Sequence, residues 1–414
     1  MTQPQLDSSR RATLLAIGAG PEQVPAIRAA QGLGFCVVAT DRNPAAVGLT
    51  IADQAHSVDI ADEAAVVALA RSIDDLIGVV PAPVGSLLTT VGAVNDGLGF
   101  AGITRSAAWS CVDKRRFHLV SKAAGANRPM QAVLADAVHL TTVAERVGYP
   151  VVVKPAYGSG SKGVEVVLDH AAVDAAQERL AALGATTVLV EQMVAGQEFG
   201  IDGYVQDGVF TLLLARRKHL TPLPWRQEMG YDAPAPITME LQQAVTAEVQ
   251  RVVEATGIDA CLLNADVVVA TDARPYVIEV AGRPGALSIS DYLVPVSTGI
   301  NFIELGIALA LGQRVSPTHM AHNAVCLRYL PAPAGIVRAR PEIPADDPMI
   351  LHASCRLTPG MELREIRDAR DALARGVVIT RGATVADAAR HAEAVAAQIV
   401  SSTQITSSER EAVS

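Results

Sequence analysis

Short apolar runs alternate with helix-period stretches along the first hundred residues. Residues 13–20 (Thr-Leu-Leu-Ala-Ile-Gly-Ala-Gly) read as a buried strand entering a glycine turn. A helix follows to about Leu33, and a second apolar strand at 35–40 ends in Asp41-Arg42-Asn43-Pro44. A third strand–helix step covers 56–71 and a fourth strand covers 77–81. Strands alternating with helices predict an α/β unit with a doubly wound parallel sheet.

The pattern then changes. A helical stretch at 107–125 carries Asp113-Lys114-Arg115-Arg116, a charge run that by itself reads as a solvated face. Helix-like sequence at 138–147 leads into residues 151–168, where a β-branched strand, a glycine-rich loop and a second β-rich run predict a hairpin with a bare, mobile tip. Beyond it come a helix at 171–183, a strand at 187–190 and a hinge-like segment at 191–198. Residues 216–236 are basic and punctuated by proline, and read as a long loop, a length that tends to be functional. A helix at 240–256 precedes a strand pair at 261–270 and 275–280, which turns at 281–285. A helical region at 300–311, a strand at 324–330, a helix at 385–399 and a disordered tail from about 401 complete the expectation.

Composition narrows the function classes. The 414 residues are 50% hydrophobic and 19% charged, with mean hydropathy +0.27, enough for a sizeable core in two or three domains. A net charge of −9 disfavours nucleic acid as the main partner. No long uncharged apolar run predicts a membrane span, and the first residues lack an apolar signal core, so a cytoplasmic protein is expected. The five scattered cysteines show no zinc spacing and read as free thiols.

Three places carry candidate chemistry. In the 151–168 hairpin, Lys154 and the loop with Gly158, Ser159, Gly160, Ser161 and Gly163 can bring a charge and bare amides to phosphates. The P-loop alternative fails, because no Gly-Lys-Ser/Thr opens a helix here. Asp266 and Glu279 sit on the paired strands, where cross-strand pairing would put both carboxylates on one face, a set suited to magnesium with nucleotide phosphates. Gly18-x-Gly20 followed by Asp41 looks like a dinucleotide fingerprint, but Gln23 holds the third glycine position, so a structural turn is the better reading.

Singly, each feature has a plain structural explanation. The ordered series Lys114, Lys154 with its glycine loop, Glu191, Glu198, Asp266, Glu279 and Arg283 resembles the ATP-grasp superfamily over nearly the whole chain. The N-terminal sheet is similar to the domain preceding the ATP-grasp fold in biotin carboxylase and purine-pathway members. The stretch from Arg370 to Ala388 is similar to the C-terminal region of carboxylase-like and L-amino acid ligase members. The resemblance implies a Rossmann-like domain at 1–113, a linker helix and small lid domain at 114–190, and a large domain at 191–320. An α+β C-terminal region at 321–414 would pack on the large domain.

The resemblance also implies roles. Lys114 and Lys154 hold nucleotide phosphates under the 158–163 flap, Glu191, Gln192 and Val194 read adenine through backbone groups, and Glu198 binds ribose. Asp266 and Glu279 ligate Mg²⁺, with two ions expected and Mn²⁺ able to substitute. Arg283 stabilises the transferred phosphoryl group. One departure stands out: the family's usual asparagine is replaced by Ala281, with Asn264 a candidate substitute. The implied activity is an ATP-dependent carboxylate–amine ligase working through an acyl-phosphate on small substrates, with amino acids foremost. Arg216, Lys218 and Arg226 would clamp a carboxylate, and Trp225 or Tyr231 would wall a side-chain pocket. The alternatives are bicarbonate-dependent N-carboxylation, acyl loading onto a carrier thiol, and a nucleotide-binding regulator without turnover. A homodimer is one arrangement the resemblance implies.

Overall fold

The computed structural model describes residues 11–135, 139–318, 320–344 and 346–406. Four parallel strands, β1 Thr13–Ile17, β2 Cys36–Asp41, β3 Gln54–Ser57 and β4 Leu76–Val79, form an N-terminal sheet in the order β3-β2-β1-β4. Every residue of β1 is buried, as expected of a strand covered on both faces. The connecting helices are α1 Val24–Gly32, α2 Val47–Ile51 and α3 Glu63–Ser72, followed by α4 Leu88–Leu98. The glycine turn after β1 is closed on itself. Gly20 N–H donates to Gln23 Oε1 and Ala19 N–H to Asp41 Oδ2, so the amides a dinucleotide phosphate would need are already used.

Two helices, α5 Arg105–Val112 and α6 Lys114–Ala123, lead out of this domain. Asp113 caps α6 through its side chain, which fixes Lys114 as the first helical residue. The small domain follows: β5 Gln131–Leu134, α7 Leu140–Val147, β6 Val151–Pro155, β7 Glu165–Val167, α8 Val173–Ala182 and β8 Val188–Gln192. Its antiparallel sheet runs β5-β8-β6-β7, packed through Leu140, Val143, Val151, Val153, Val173 and Leu180 against its two helices. The predicted hairpin is β6 and β7. Its tip is not bare, however: Ala369 N–H donates to Gly160 O, and Lys114 Nζ donates to Gly158 O at 2.9 Å.

The large sheet has eight antiparallel strands. It combines β9 Gly196–Gln206, β10 Val209–Leu220, β11 Glu228–Ala233, β12 Cys261–Ala270 and β13 Pro275–Ala281 with strands from the C-terminal region. The helices α9 Met239–Thr256, α10 Val294–Thr298 and α11 Phe302–Ala310 are interspersed with these strands. From the C-terminal region come β14 Ala324–Tyr329, then β16 Ile350–Cys355, helix α12 Ala369–Leu373 and β18 Gly376–Gly382. Two short strands, β15 Gly335–Ile336 and β17 Glu362–Leu363, pair separately. The order is β13-β12-β9-β10-β11-β14-β18-β16, so residues beyond 320 continue the same sheet. Val245, Val249, Val252 and Val253 of α9 cover one face, and α10 and α11 contribute Val294, Phe302 and Leu309 to a second core.

Two expectations are corrected. Residues 216–236 are not one loop: β10 runs to Leu220 and β11 covers Glu228–Ala233, leaving 221–227 and 234–236 outside strands. The charges that argued for a loop are matched by carboxylates distant in sequence, as described below. The chain at 401–406 is not a disordered tail. The final helix, α13 Val385–Ser402, is held by a Thr384 capping box, and Thr406 bridges Ile336. The expected tail beyond 406, and the first residue of the helix expected at 138–147, lie outside the described residues. Among the described residues no single helix is long and apolar enough to cross a membrane.

Sequence reading missed β9 altogether, because Gly196, Gly200 and Gly203 argue against a strand. The fold explains all three glycines. A Cβ at Gly196 would come within 2.0 Å of Val269 O, one at Gly200 within 2.1 Å of Arg216 Cζ, and one at Gly203 within 2.2 Å of Thr211 O. Gly200→Ala is therefore expected to displace Arg216 and cost about 1–3 kcal/mol, read by chemical denaturation; an unchanged midpoint would show that the guanidinium does not need that space.

Candidate active site

The cleft between the small-domain sheet and the large sheet brings most of the sequence-derived residues into one cavity of about 250 Å³. Lys114, Lys154, Gly158, Ser159, Gly160 and Ser161 line it from one side, and Asp266, Glu279 and Arg283 from the other. Gln192, Val194 and Glu198 line the hinge end, with Arg216, Lys218, Arg226 and Tyr231 along the floor. Two predicted residues fall elsewhere. Gly163 does not line the cleft: it has φ +75°, and a Cβ there would meet Leu183 at 2.7 Å, so it serves the turn. Trp225 does not wall this cavity: it lies in the 221–227 loop, where it bridges Glu165, and lines a second one.

Lys154 is almost fully buried, and its position follows from a carboxylate placed on the neighbouring strand. Glu191 Oε2 lies 2.7 Å from Lys154 Nζ, while Glu191 Oε1 lies 2.5 Å from His118 Nε2 on α6. Burial pushes the Glu191 carboxyl up, but Lys154 and then His118 more than offset it, leaving its pKa at about 2. The side chain of Glu191 thus holds Lys154. In the hinge, Gln192 and Met193 donate their amides to Met130 and Pro150, so of these hinge amides it is Val194's that remains for an adenine edge.

Asp266 and Glu279 are direct cross-strand partners on β12 and β13, as the hairpin reading required. Burial raises the Asp266 pKa, and the Lys218 ammonium 2.5 Å away overrides this and lowers it. Lys114 Nζ lies 3.8 Å from Glu279. The pair supplies hard oxygen donors on one face, which fits a magnesium ion that takes its remaining ligands from phosphates and water. Among the described residues no cluster of three or more His, Cys, Asp or Glu could hold a metal unaided. Ala281 offers no ligand, and its cross-strand partner Asn264 donates its amide to Asp202 at 2.7 Å, leaving the carbonyl oxygen as its donor.

The basic floor is a buried ion network. Arg216 pairs with Asp202 at 2.8 Å, its guanidinium 4.5 Å from the Tyr231 ring centroid and its Nη1 without a partner. Lys218 joins Asp266 to Glu228, the latter at 2.9 Å. Burial lowers the Lys218 pKa, but the two carboxylates outweigh it and keep the ammonium charged. Glu198 and Arg226 are ion-paired with each other. Sequence reading missed His118, Asp202 and Glu228. No local signal marked Glu228: a register shift where β11 meets the end of β10 brings it to Lys218, against its period-two spacing with Gly230 and Asp232.

Arg283 is different. Its Nη1 donates to Pro284 O at 2.9 Å, its buried Nε has no partner, and no carboxylate lies within ion-pair distance among the described residues. Burial lowers its pKa, with Glu279 opposing. A cation with an unsatisfied donor beside a carboxylate pair and two phosphate lysines is suited to an anion that arrives with the substrate.

Comparison with known proteins agrees with this geometry. Residues 147–291 match the model of an ATP-grasp domain. Residues 328–404 match the model of L-amino acid ligase C-terminal domain 2. The chain is similar to the D-alanine–D-alanine ligase of Neisseria meningitidis serogroup C / serotype 2a, at 28% identity over 220 residues, 51% of this chain and 71% of the relative. Its fold is similar to the L-amino acid ligase from Bacillus licheniformis (TM-score 0.78, 21% identity, 97% of this chain and 100% of that one). It is also similar in fold to phosphoribosylglycinamide synthetase from Anaerococcus prevotii (TM-score 0.70, 20% identity, 96% and 100%).

Proposed function

We infer that the chain is an ATP-dependent carboxylate–amine ligase that joins two small substrates, with amino acids as the substrate class, and releases ADP and phosphate. The observation that carries this reading is Arg283, an unpaired cation with an orphaned buried Nε, facing the same cleft as Lys154 and the Asp266–Glu279 pair. The ligase-like C-terminal match and the D-alanine–D-alanine ligase relatives support it.

A substrate carboxylate oxygen attacks the γ-phosphorus of ATP, the bond to ADP breaks, and an acyl-phosphate forms. Lys154, held by Glu191 and His118, sets a fixed positive charge against the phosphates. Arg283 takes up charge that develops on the phosphoryl oxygens. Asp266 and Glu279 would hold a magnesium ion, and Asn264 with Glu279 would be the donors for a second; such ions, or Mn²⁺ in their place, would neutralise phosphate charge. An amine then attacks the acyl carbon, and phosphate leaves from the tetrahedral adduct. The closed flap keeps water from the mixed anhydride.

The test is ADP and phosphate release from ATP and Mg²⁺ with amino acids singly and in pairs, and separately with bicarbonate plus amines. Turnover that needs a carboxylate and an amine together, with the amide detected by mass spectrometry, is the expected result. Turnover driven by bicarbonate alone would replace this reading with N-carboxylation. Nucleotide binding without turnover under every pool would make the chain a nucleotide-responsive regulator.

A further inference from the structure

A second cavity, of about 570 Å³, lies beyond the 221–227 loop and shares no lining residue with the nucleotide cleft. Its volume falls in the range of small-molecule sites. The wall is largely apolar, with Leu220, Leu223, Met229, Pro333 and Ile366 among its residues. Most charged groups on it are neutralised within the protein. Arg328 pairs with Asp232 and Glu393, His219 also reaches Asp232, and Glu365 pairs with Arg367.

Two polar groups on this wall remain unanswered. Arg375 is 1% exposed, and its guanidinium donates only to the carbonyls of Ala332, Asp371 and Arg364. No carboxylate lies within ion-pair distance of it among the described residues. Three neutral acceptors satisfy its hydrogen bonds, and the nearby Asp371 carboxylate, itself ion-paired with Arg364, offsets the buried charge only in part, an expensive arrangement unless a further anion completes it. Trp225 Nε1–H is the second: it is buried and finds no acceptor. A cation and a neutral donor on an apolar wall match a carboxylate carried on an apolar or aromatic body.

Trp225 is also tied to the lid. Arg179 of α8 and Arg367 lie over its ring at 5.5 and 5.0 Å from the centroid. Residue 225 bridges Glu165 of β7, and Val166 N–H donates to Pro224 O at 2.7 Å. One loop therefore forms the wall of the second cavity and the seat on which the small domain rests when closed.

We propose that this cavity is a second ligand site, taking a small apolar or aromatic carboxylate, and that its occupant acts on lid closure through Trp225. The inference does not depend on the reaction the cleft performs. The probe is phenylacetate, with phenethylamine as the cation of similar shape, titrated into the full chain carrying Trp109→Phe so that Trp225 is the sole indole. A saturable change in Trp225 emission by the carboxylate alone is expected, weakened about ten-fold or more by Arg375→Gln. Because Arg375 also ties three carbonyls together, Ala334→Phe, an exposed position at the cavity wall, provides the second variant. It should show the same loss with an unchanged melting temperature. The absence of a saturable response up to about 10 mM, an equal response to the amine, or full binding by Ala334→Phe would overturn the site. Saturating phenylacetate should also shift the affinity for a non-hydrolysable ATP analogue at least about two-fold; no shift would overturn the coupling to the lid.

Discussion

Arg283→Met is expected to lower kcat for ADP release by about 10²–10³-fold while nucleotide affinity changes little. The reasoning starts from what Arg283 does in the absence of substrate, which is almost nothing. It has one hydrogen bond to a neighbouring carbonyl and no carboxylate partner, so removing its charge leaves no protein anion stranded. Methionine keeps the unbranched stem and its packing. The lost interaction is then one made with charge that accumulates on transferred oxygens, which moves kcat rather than binding. Fold stability should be unchanged or slightly raised, since burial already disfavours the cation. A variant with wild-type kcat and a raised KM for ATP would instead make Arg283 a ground-state phosphate ligand.

Glu191→Gln should have the largest effect on stability. The glutamate is 3% exposed and answers both Lys154 and His118, so its neutralisation leaves a buried ammonium without its counter-charge. Breaking such a pair from one side typically costs about 3–5 kcal/mol. The pH dependence gives an independent reading. The folded-state pKa of Glu191, about 2, lies below its ordinary value of 4.5, so its contribution is fully present above about pH 4.5 and is lost as pH falls toward 2. The wild-type protein should therefore lose on the order of 3 kcal/mol more than the variant across that acid window. Parallel stability–pH curves for the two proteins would show that the carboxylate is not held by this network.

The elements legible in the sequence were those with one dominant period and local punctuation. The parallel N-terminal sheet, the Lys154 hairpin and the Asp266–Glu279 strand pair all fall where alternation and glycine turns placed them. Glycine and charge misled together. β9 carries three glycines because other groups approach its backbone, and β10 carries cations whose partners stand elsewhere in the chain: Asp202 for Arg216, Asp266 for Lys218. Nothing local distinguishes such a charge from a solvated one. The same limit hid the role of the Glu191 side chain, since its meaning depends on His118 and Lys154, one helix and one strand away. Trp225 was read with Tyr231 as a substrate wall because both lie in the basic 216–236 stretch, but the fold puts Tyr231 at the cleft and Trp225 at the second cavity.

The eight-stranded sheet has a consequence for how this chain can be divided. Its strand order places β14, β18 and β16 in line after β11, so the two regions that match separate family models share one hydrogen-bonded ladder. Cutting near residue 320 would not release a module. It would strip the partner from β11, where Gly230, Tyr231, Asp232 and Ala233 pair with β14, and expose a row of free backbone donors and acceptors. An open edge of that kind is a template for intermolecular strand pairing. The region beyond residue 320 therefore works as a selvedge, the finished margin that keeps the catalytic sheet from fraying into its neighbours.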